Sequence, residues 1–370
     1  MSALFTPFQL KDITLRNRIA VAPMCQYAAT DGFTNEWHHG HYPSLARGGA
    51  GLVVVEATAV SPEGRITPDC LGIWNDAQVE GLAKIAKSIK ASGAVAGLQI
   101  GHAGRKGNTN RPWEGDDHFP VSDPRSWTTI SPSAIAFGGI LPRVPQAMTV
   151  KDIERVKQDF SRAAHRAYTA GYQWLELHFA HGFLGQSFFS PYANQRTDNY
   201  GGSLENRSRF LLEALEEVRR VWPENLPLTA RFGAIEFDGR DEEALAESIE
   251  LTHALRKGGL DLLDVSVGFS SINTKIPSGD ALLLPITERI RRETGLPVAA
   301  AWRMDNPQTA DRAIRQEQLD VVMLAHAFLA NPHYPFEAAR ALGVDHSSMM
   351  PAIYAHWLKR YRGVSDRQMS

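Results

Sequence analysis

Eight short, nearly unbroken apolar runs recur along this 370-residue chain, and they constrain its fold more than any other feature. A continuous apolar run, rather than an alternation of apolar and polar residues, is typical of a parallel strand that is buried on both faces. The runs lie at residues 19–22, 51–56, 95–100, 174–178, 228–232, 260–267, 297–302 and 319–324.

Amphipathic helical patterns separate most of these runs, at residues 77–91, 150–170, 203–221, 242–257, 284–294 and 307–316. Repeated β-α units with eight strands predict an α/β fold, the closed (β/α)8 TIM barrel. A doubly wound open sheet is the alternative, and the lack of a G-x-G-x-x-G motif after the first run disfavours it. We expect one domain over residues 1–370, because barrels with insertions commonly reach this length.

One connection is much longer than the others. Residues 101–148 follow the third predicted strand and are rich in Gly, Pro, Asp, Ser and Trp, with little periodicity. Connections of this length inside a compact domain are usually functional. We therefore predict a lid or excursion at the carboxyl end of the third strand.

Composition excludes several classes of function. The chain is 43% hydrophobic and 22% charged with a formal net charge of −2, so it carries no charge signature for nucleic acid or an anionic membrane. Its apolar runs are too short to cross a bilayer. With two cysteines, Cys25 and Cys70, a disulfide framework is not expected, and the N-terminus shows no secretion signal. We expect a cytoplasmic protein that acts on a small molecule.

Polar residues cluster where the predicted strands end. In β/α barrels the catalytic groups lie at the carboxyl ends of the strands. Because so many of these ends carry polar or aromatic side chains, they predict one shared site: Cys25, Gln26, Tyr27, Glu56, Gln99, His102, His178, His181, Arg231, Trp302 and His326.

His178 and His181 follow the fourth run and allow three interpretations. A metal site would need further ligands, and none lies at matching spacing nearby. Two imidazole N–H groups that converge on one oxygen would instead stabilise charge on a substrate carbonyl or nitro group. The third interpretation is a pair of hydrogen-bonded core histidines.

Arg231, Gln99 and Cys25 also allow more than one interpretation. Arg231 interrupts an apolar run, so it needs either a carboxylate partner or an anionic ligand. Gln99 offers a donor and an acceptor, which suits the edge of a heterocyclic ring. Cys25 alone is more often a small buried hydrophobe than a reactive thiol.

Four motifs together resemble the old yellow enzyme family, and more narrowly its bacterial xenobiotic reductase branch. They are the segments 23–27 (PMCQY), 102–106 (HAGRK), 178–182 (H-x-x-H-G) and 196–207 (RTDNYGGS-x-ENR). The resemblance extends from about Leu4 to Arg362, and the last motif is its most specific part. It implies a barrel that binds FMN, takes electrons from NADPH or NADH, and reduces activated C=C bonds.

The resemblance also implies roles for matching residues. Gln99 and Arg231 would hold the pyrimidine edge of the flavin, while Pro23, Met24, Cys25 and Ala57 would lie beside the ring, with Cys25 tuning its potential. His178 and His181 would bind the substrate oxygen. Tyr27 and Trp302 would shape the substrate pocket, and Trp357 in the C-terminal tail (residues 350–370) would reach the site of a neighbouring subunit. A homodimer or higher homo-oligomer is therefore expected.

Three departures from the family pattern stand out. Phe183 occupies the position at which the family usually has a proton-donating tyrosine, and it has no proton to give. Tyr27, Tyr192 or water could substitute. The phosphate end lacks the usual glycine-rich turn and Gly-Arg pair, because it reads Trp302-Arg303-Met304-Asp305 and Ala325-His326. Arg303 and His326, with the backbone of Ala325, would then hold the FMN phosphate more weakly.

These departures leave three hypotheses open. The first is an FMN-dependent, NAD(P)H-linked reductase of enones, nitro compounds or quinone-like acceptors, with atypical protonation. The second is a redox-neutral isomerase or cyclase that keeps the His178/His181 clamp. The third is a flavin-poor or non-catalytic homologue.

Overall fold

The chain forms twelve strands in the part that the structure, a computed structural model, describes, which is residues 2–345 and 349–361. In chain order they are β1 (Phe8–Leu10), β2 (Ile13–Leu15), β3 (Ile19–Val21), β4 (Leu52–Ala59), β5 (Val95–Gly101), β6 (Ile130–Ser131), β7 (Gln146–Ala147), β8 (Trp174–Phe179), β9 (Leu228–Ile235), β10 (Leu262–Val267), β11 (Val298–Ala300) and β12 (Val321–Leu324).

Eight of these strands close a parallel barrel. They run in the order β3, β4, β5, β8, β9, β10, β11 and β12, and β12 pairs with β3 to complete the ring. Each predicted apolar run forms one of these strands, so the predicted (β/α)8 TIM barrel is confirmed. The seventh run forms a strand of only three residues, β11, and leaves Trp302 in the loop that follows.

Helices cover the outside of the barrel. Over the described residues they are α1 (Glu36–Arg47), α2 (Val79–Ala91), α3 (Val150–Thr169), α4 (Leu184–Phe189), α5 (Leu204–Arg219), α6 (Asp241–Lys257), α7 (Leu284–Thr294), α8 (Pro307–Arg315), α9 (His326–Ala330), α10 (Tyr334–Ala341) and α11 (Ala352–Leu358). All six predicted helices form. The sequence pattern missed α1 because Pro43 and several histidines interrupt its periodicity, although Asn35 caps it.

Two large hydrophobic clusters pack on either side of the barrel wall, and a small third cluster of Phe336, Met350 and Ala355 lies near the C-terminal helices. Alternate strand residues such as Leu175 and Leu177 pack outward with the helices. Inward residues such as Leu52, Val54 and Trp174 form the other large cluster. The antiparallel hairpin of β1 and β2 adds Phe8, Ile13 and Leu15 to this inner cluster and so closes the amino end of the barrel. Apolar packing occupies that end, which leaves the carboxyl end for polar groups.

The segment 101–148 contains two 3₁₀ turns, Gly104–Lys106 and Pro112–Glu114, and the short parallel sheet of β6 and β7. Its role as a lid, like the assignment of residues 1–370 to one domain, stays a prediction. Of the predicted tail at residues 350–370, positions 362–370 lie outside the described residues. No helix among the described residues is long and apolar enough to cross a membrane.

We predict that the amino end of the barrel governs stability and not ligand binding. Leu15 is fully buried in the inner cluster, so Leu15→Ala should lower the free energy of unfolding by about 2–5 kcal/mol. Urea unfolding measures this loss, with the exposed Gln9→Ala as the matched control. Flavin binding by folded Leu15→Ala protein should stay unchanged, and a loss of flavin without a loss of stability would contradict the assignment.

Candidate active site

Strand register brings a set of polar side chains to two adjacent levels of the barrel. Gln99 on β5 pairs with Glu176 on β8, and one layer higher His178 pairs with Arg231 on β9, which pairs with Asp264 on β10. All five side chains are buried. The predicted meeting of Gln99, His178 and Arg231 at the carboxyl ends therefore holds in the structure.

Glu176 orients Gln99. The Gln99 Nε2 donates a hydrogen bond of 2.8 Å to Glu176 Oε1, which leaves the Gln99 carbonyl oxygen available as an acceptor. Burial, reinforced by the nearby Asp264, raises the pKa of Glu176 to about 8, although Arg231 and Gln99 act in the opposite direction. Glu176 is therefore a carboxyl group that holds a proton at neutral pH.

Arg231 has one charged partner and unused hydrogen-bonding capacity. Its Nε lies 3.2 Å from Asp264 Oδ2, and burial raises the pKa of Asp264 to about 6 against the attraction of Arg231. Within residues 2–345 and 349–361 the guanidinium makes no hydrogen bond, and its buried Nε is unsatisfied. A buried cation with free donors is suited to an anionic or carbonyl-bearing ligand. The ion-pair and ligand interpretations of Arg231 are thus compatible.

The two histidines form a neutral pair. Their ring centroids lie 5.0 Å apart with nearly perpendicular planes. Burial, with Arg231 and Lys106 nearby, lowers the pKa of both imidazoles well below the ordinary value. His178 Nδ1 accepts the Ala180 N–H at 3.4 Å, so its Nε2 carries the proton, while His181 Nε2 lies 2.8 Å from the Ser266 hydroxyl.

This geometry suits an oxygen clamp. Neutral imidazoles can each donate one N–H to a substrate oxygen without a buried charge to repel Arg231. Among the described residues no group of three or more His, Cys, Asp or Glu side chains is arranged to hold a metal ion.

Cys25 and Tyr27 lie on the loop after β3, together with Pro23 and Met24, and all four are half-buried. Burial, with Cys70 and Glu56 nearby, raises the pKa of the Cys25 thiol well above its ordinary value, so the thiol stays protonated. Tyr27 adopts a left-handed backbone conformation (φ 50°) and packs edge-on against Trp113 of the 101–148 segment.

Glu56 is hydrogen-bonded to this loop. Its carboxylate accepts the Gln26 N–H at 2.9 Å and the Tyr42 hydroxyl at 2.7 Å, and it is fully buried. Burial raises its pKa to about 7. Ala57, predicted to contact the flavin, is the half-buried residue that follows it on β4.

Aromatic rings form one wall beside the histidines. Phe183 lies 5.0 Å from the His178 ring, and Phe269, which follows β10, lies 6.0 Å from the His181 ring and 6.1 Å from Trp302. A series of ring contacts through His181 and Phe269 therefore joins Phe183 to Trp302, and their role in a substrate pocket stays a prediction. Phe269 was not predicted.

The predicted phosphate end retains an unusual backbone. Trp302 and Arg303 both have positive φ angles, of 81° and 54°, in a turn where the family pattern has glycine. Arg303 is exposed, and its only hydrogen bond within the described residues joins Nη1 to the Gly279 carbonyl at 3.3 Å. His326 is exposed after β12, next to the half-buried Ala325. Both side chains are exposed at this end of the barrel.

The 102–106 motif fastens the 101–148 segment to the site. Arg105 donates to the carbonyls of Ile135 and Ala136 within that segment and to the Ser270 carbonyl after β10. Lys106 Nζ donates to the His181 carbonyl at 2.8 Å. These two cations join the segment to the loops that follow β8 and β10.

The most specific motif, residues 196–207, is structural in this chain. Arg196 pairs with Asp198 and also donates to the carbonyls of Pro132 and Met148. Ser203 caps α5, and Arg207 pairs with Glu247 while it donates to the Phe189 carbonyl. The motif thus holds α4, α5 and the 101–148 segment together around the site.

Trp357 lies on α11, where 70% of its surface is exposed. It lines an open groove of about 410 Å³ with His333, Phe336, Ile353 and Tyr354.

Sequence reasoning missed Asp264, Ser266, Phe269 and Lys106 as site residues. Asp264 and Ser266 alternate with Leu263, Val265 and Val267 on β10, so a period of two was present inside the run that was treated as continuously apolar. Lys106 lies in the 102–106 motif, but the sequence did not indicate what its side chain contacts.

The comparisons with known proteins identify the family of the chain. Residues 3–344 match the NADH:flavin oxidoreductase / NADH oxidase family. The chain is 39% identical over 359 residues to an NADPH dehydrogenase of Halalkalibacterium halodurans, covering 96% of this chain and 99% of the relative. It is 38% identical over 345 residues to an NADPH dehydrogenase of Geobacillus thermodenitrificans, covering 93% and 95%. The solved structure of morphinone reductase superposes with a TM-score of 0.78 at 28% identity, covering 93% of this chain and 90% of that chain.

A TIM barrel with a polar site at its carboxyl end and this family match define a flavin-dependent oxidoreductase. The chain belongs to the NADH:flavin oxidoreductase family, the old yellow enzyme family, as the sequence motifs predicted. It is an NAD(P)H-dependent oxidoreductase with FMN as its cofactor. The Nη groups of Arg231, which make no hydrogen bond among the described residues, and the carbonyl oxygen of Gln99 fit the polar edge of that cofactor.

We predict a pH effect on stability that arises from Glu176. Its folded-state pKa of about 8 lies above the unfolded value, so the folded state binds the extra proton. This contribution to the free energy of unfolding is complete below the unfolded pKa, falls as the pH rises above it, and is gone above about 8. Glu56, whose pKa is about 7, loses its own contribution at lower pH, so the decline between pH 7 and 8 reports Glu176. In urea unfolding of the apoprotein this decline should disappear in Glu176→Gln and persist in Glu56→Gln. The same decline in Glu176→Gln protein would contradict the assignment.

Proposed function

We propose that the enzyme reduces the activated C=C bonds of small enones, and also nitro or quinone-like acceptors, with electrons from NADPH or NADH. The neutral pair of His178 and His181, next to the free donors of Arg231, carries this proposal. A clamp of two N–H groups stabilises the negative charge that develops on a carbonyl or nitro oxygen during reduction.

The residues around the cofactor take the following roles in this proposal. Arg231 and Gln99 bind the pyrimidine edge of FMN, with Arg231 compensating negative charge on the reduced ring. Pro23, Met24, Cys25 and Ala57 lie beside the ring, and the protonated Cys25 thiol adjusts its potential. Arg303, Ala325 and His326 hold the phosphate. FMN supplies the hydride, and these side chains bind and orient both FMN and the substrate.

The substrate pocket is bounded by Tyr27, Phe183 and Trp302. Phe183 gives this pocket an apolar wall and cannot protonate a carbon atom. In this proposal Arg231 serves the cofactor, and the acceptor is a small, electron-poor molecule.

A redox-neutral isomerase is the second candidate, and Phe183 is the observation that favours it. An isomerase that shifts a C=C bond needs the oxygen clamp but no net hydride from NADPH. The two candidates separate in one experiment, because an isomerase converts an unsaturated ketone without consuming NADPH, whereas a reductase consumes one equivalent for each product.

We predict that the purified protein is yellow, or becomes so with added FMN, and that NADPH bleaches it without oxygen. Arg231→Lys keeps the charge beside Asp264 but loses the planar fork of donors, so it should bind FMN about tenfold or more weakly. Fluorescence titration of the apoprotein with FMN measures the affinity. The exposed Arg312→Lys is the control and should match the unaltered protein. A colourless protein that does not bind added FMN would contradict the proposal.

We also propose that the protein is a homodimer in which the tail contacts a second copy, and that it acts in the cytoplasm. The apolar side chains of Ile353 and Trp357, 73% and 70% exposed, are large for a surface helix and favour burial against a second copy. Trp357→Ala should shift the sedimentation of the protein from dimer toward monomer. Trp113→Ala removes an equally exposed ring elsewhere and should leave the oligomeric state unchanged. A monomeric unaltered protein would disprove the contact.

A further inference from the structure

Lys106 lies beside the ring that replaces the usual proton donor. Its Nζ is 5.6 Å from the centre of the Phe183 ring and 4.5 Å from that of Phe137, which belongs to the 101–148 segment. The same ammonium donates 2.8 Å to the His181 carbonyl. The ammonium group therefore contacts the His181 carbonyl and lies beside the rings of Phe183 and Phe137.

The surroundings of Lys106 favour the release of a proton. Burial and the adjacent Arg105 lower the pKa of Lys106 to about 8, while Asp116 and Glu236 act in the opposite direction. His178 and His181 face the same ammonium and are neutral. At neutral pH the amine is thus mostly protonated, and it is a much stronger acid than an ordinary lysine.

Other candidate donors are less well placed. The Tyr192 hydroxyl donates to Asp238 at 2.8 Å and accepts from Arg240 at 2.9 Å, so it is already engaged. A cavity beside Phe183 and His178 has a volume of about 10 Å³, the lower limit for one water, and apolar side chains form most of its wall. Tyr27 packs against Trp113 and lies on the Cys25 loop.

We propose that Lys106 is the catalytic proton donor in this chain, in place of the tyrosine that Phe183 replaces. The inference rests on the proposed enone reduction. Bound FMN would supply the hydride that adds to the β-carbon as the C=C π bond breaks, and His178 and His181 would hold the charge on the oxygen. A Lys106 N–H bond then breaks and its proton forms the C–H bond at the α-carbon. The neutral amine regains a proton from solvent.

Three variants test this role in the holoenzyme. Lys106→Met removes the proton, whereas Lys106→Arg keeps the positive charge and a donor for the His181 carbonyl but does not release a proton near neutral pH. The exposed Lys87→Met is the matched control. Reduced enzyme is mixed without oxygen with 2-cyclohexenone, which needs a proton on carbon, or with 1,4-benzoquinone, whose product is protonated on oxygen.

We expect both Lys106 variants to reduce the enone about 100-fold more slowly, the lower end of what a general acid contributes. FMN content, reduction by NADPH and the rate with quinone should stay unchanged. In the unaltered enzyme the enone rate should fall as the pH rises through about 8, because the amine loses its proton, and this limb should vanish in the variants. Phe183→Tyr should restore the rate in the Lys106→Met background and change it little in the native one.

A second readout does not depend on activity. Reductive methylation of the apoprotein with ¹³C-formaldehyde labels lysines for NMR, and the resonance that is missing from Lys106→Met protein belongs to Lys106. It should titrate near 8, and titration at the value of an ordinary lysine would overturn the proposal.

The kinetic outcomes separate this proposal from the proposed function. Equal enone rates and pH profiles in native and Lys106→Met enzyme overturn the role of Lys106 and leave enone reduction intact. Loss of the enone and quinone rates together would make Lys106 a structural residue. If the native enzyme passes no electrons to the enone, the proposed function fails, and the proton-donor role fails with it.

Discussion

Closure of the barrel is the constraint on which the rest of the structure depends. Because β12 pairs with β3, every inward side chain must share one narrow interior with the inward side chains of seven other strands. At the amino end Trp174 and the β1–β2 hairpin fill that interior with apolar groups. At the carboxyl end the same geometry forces Arg231 and Asp264 into one buried layer, with Glu176 buried in the layer below. A buried cation beside two carboxyl groups, one of which holds its proton, is the electrostatic result.

This layer links the cofactor site to the substrate site. Arg231 contributes to the low pKa of both His178 and His181, which keeps the clamp neutral and able to donate. The same guanidinium keeps donors free for a ligand because Asp264 engages only its Nε side. Lys106 is a second cation near the clamp, and its Nζ donates to the His181 carbonyl. Both cations lower the pKa of His178 and His181, so the two imidazoles stay neutral.

The sequence predicted the barrel well because continuous apolar runs and helical periods are local signals. It failed where the signal was not local. Helix α1 depends on the Asn35 cap and on packing that outweighs Pro43. Asp264 lies in a run in which all the residues are buried, so its two-residue period was not recognised. Gln99, Arg231, His178 and His181 could be predicted, since strand ends meet in a barrel. The contact of Lys106 with Phe183 could not, because a long connection brings them together.

The turn at Trp302 and Arg303 lacks the glycine of the family pattern, yet both residues have positive φ angles. Glycine at these positions would adopt positive φ without cost, whereas each L side chain costs roughly 1–2 kcal/mol there. Such strain persists only where the surrounding structure requires the conformation. The turn therefore has positive φ angles without glycine, and it carries an exposed guanidinium. In the proposed function the charge of Arg303 acts on the FMN phosphate at this turn.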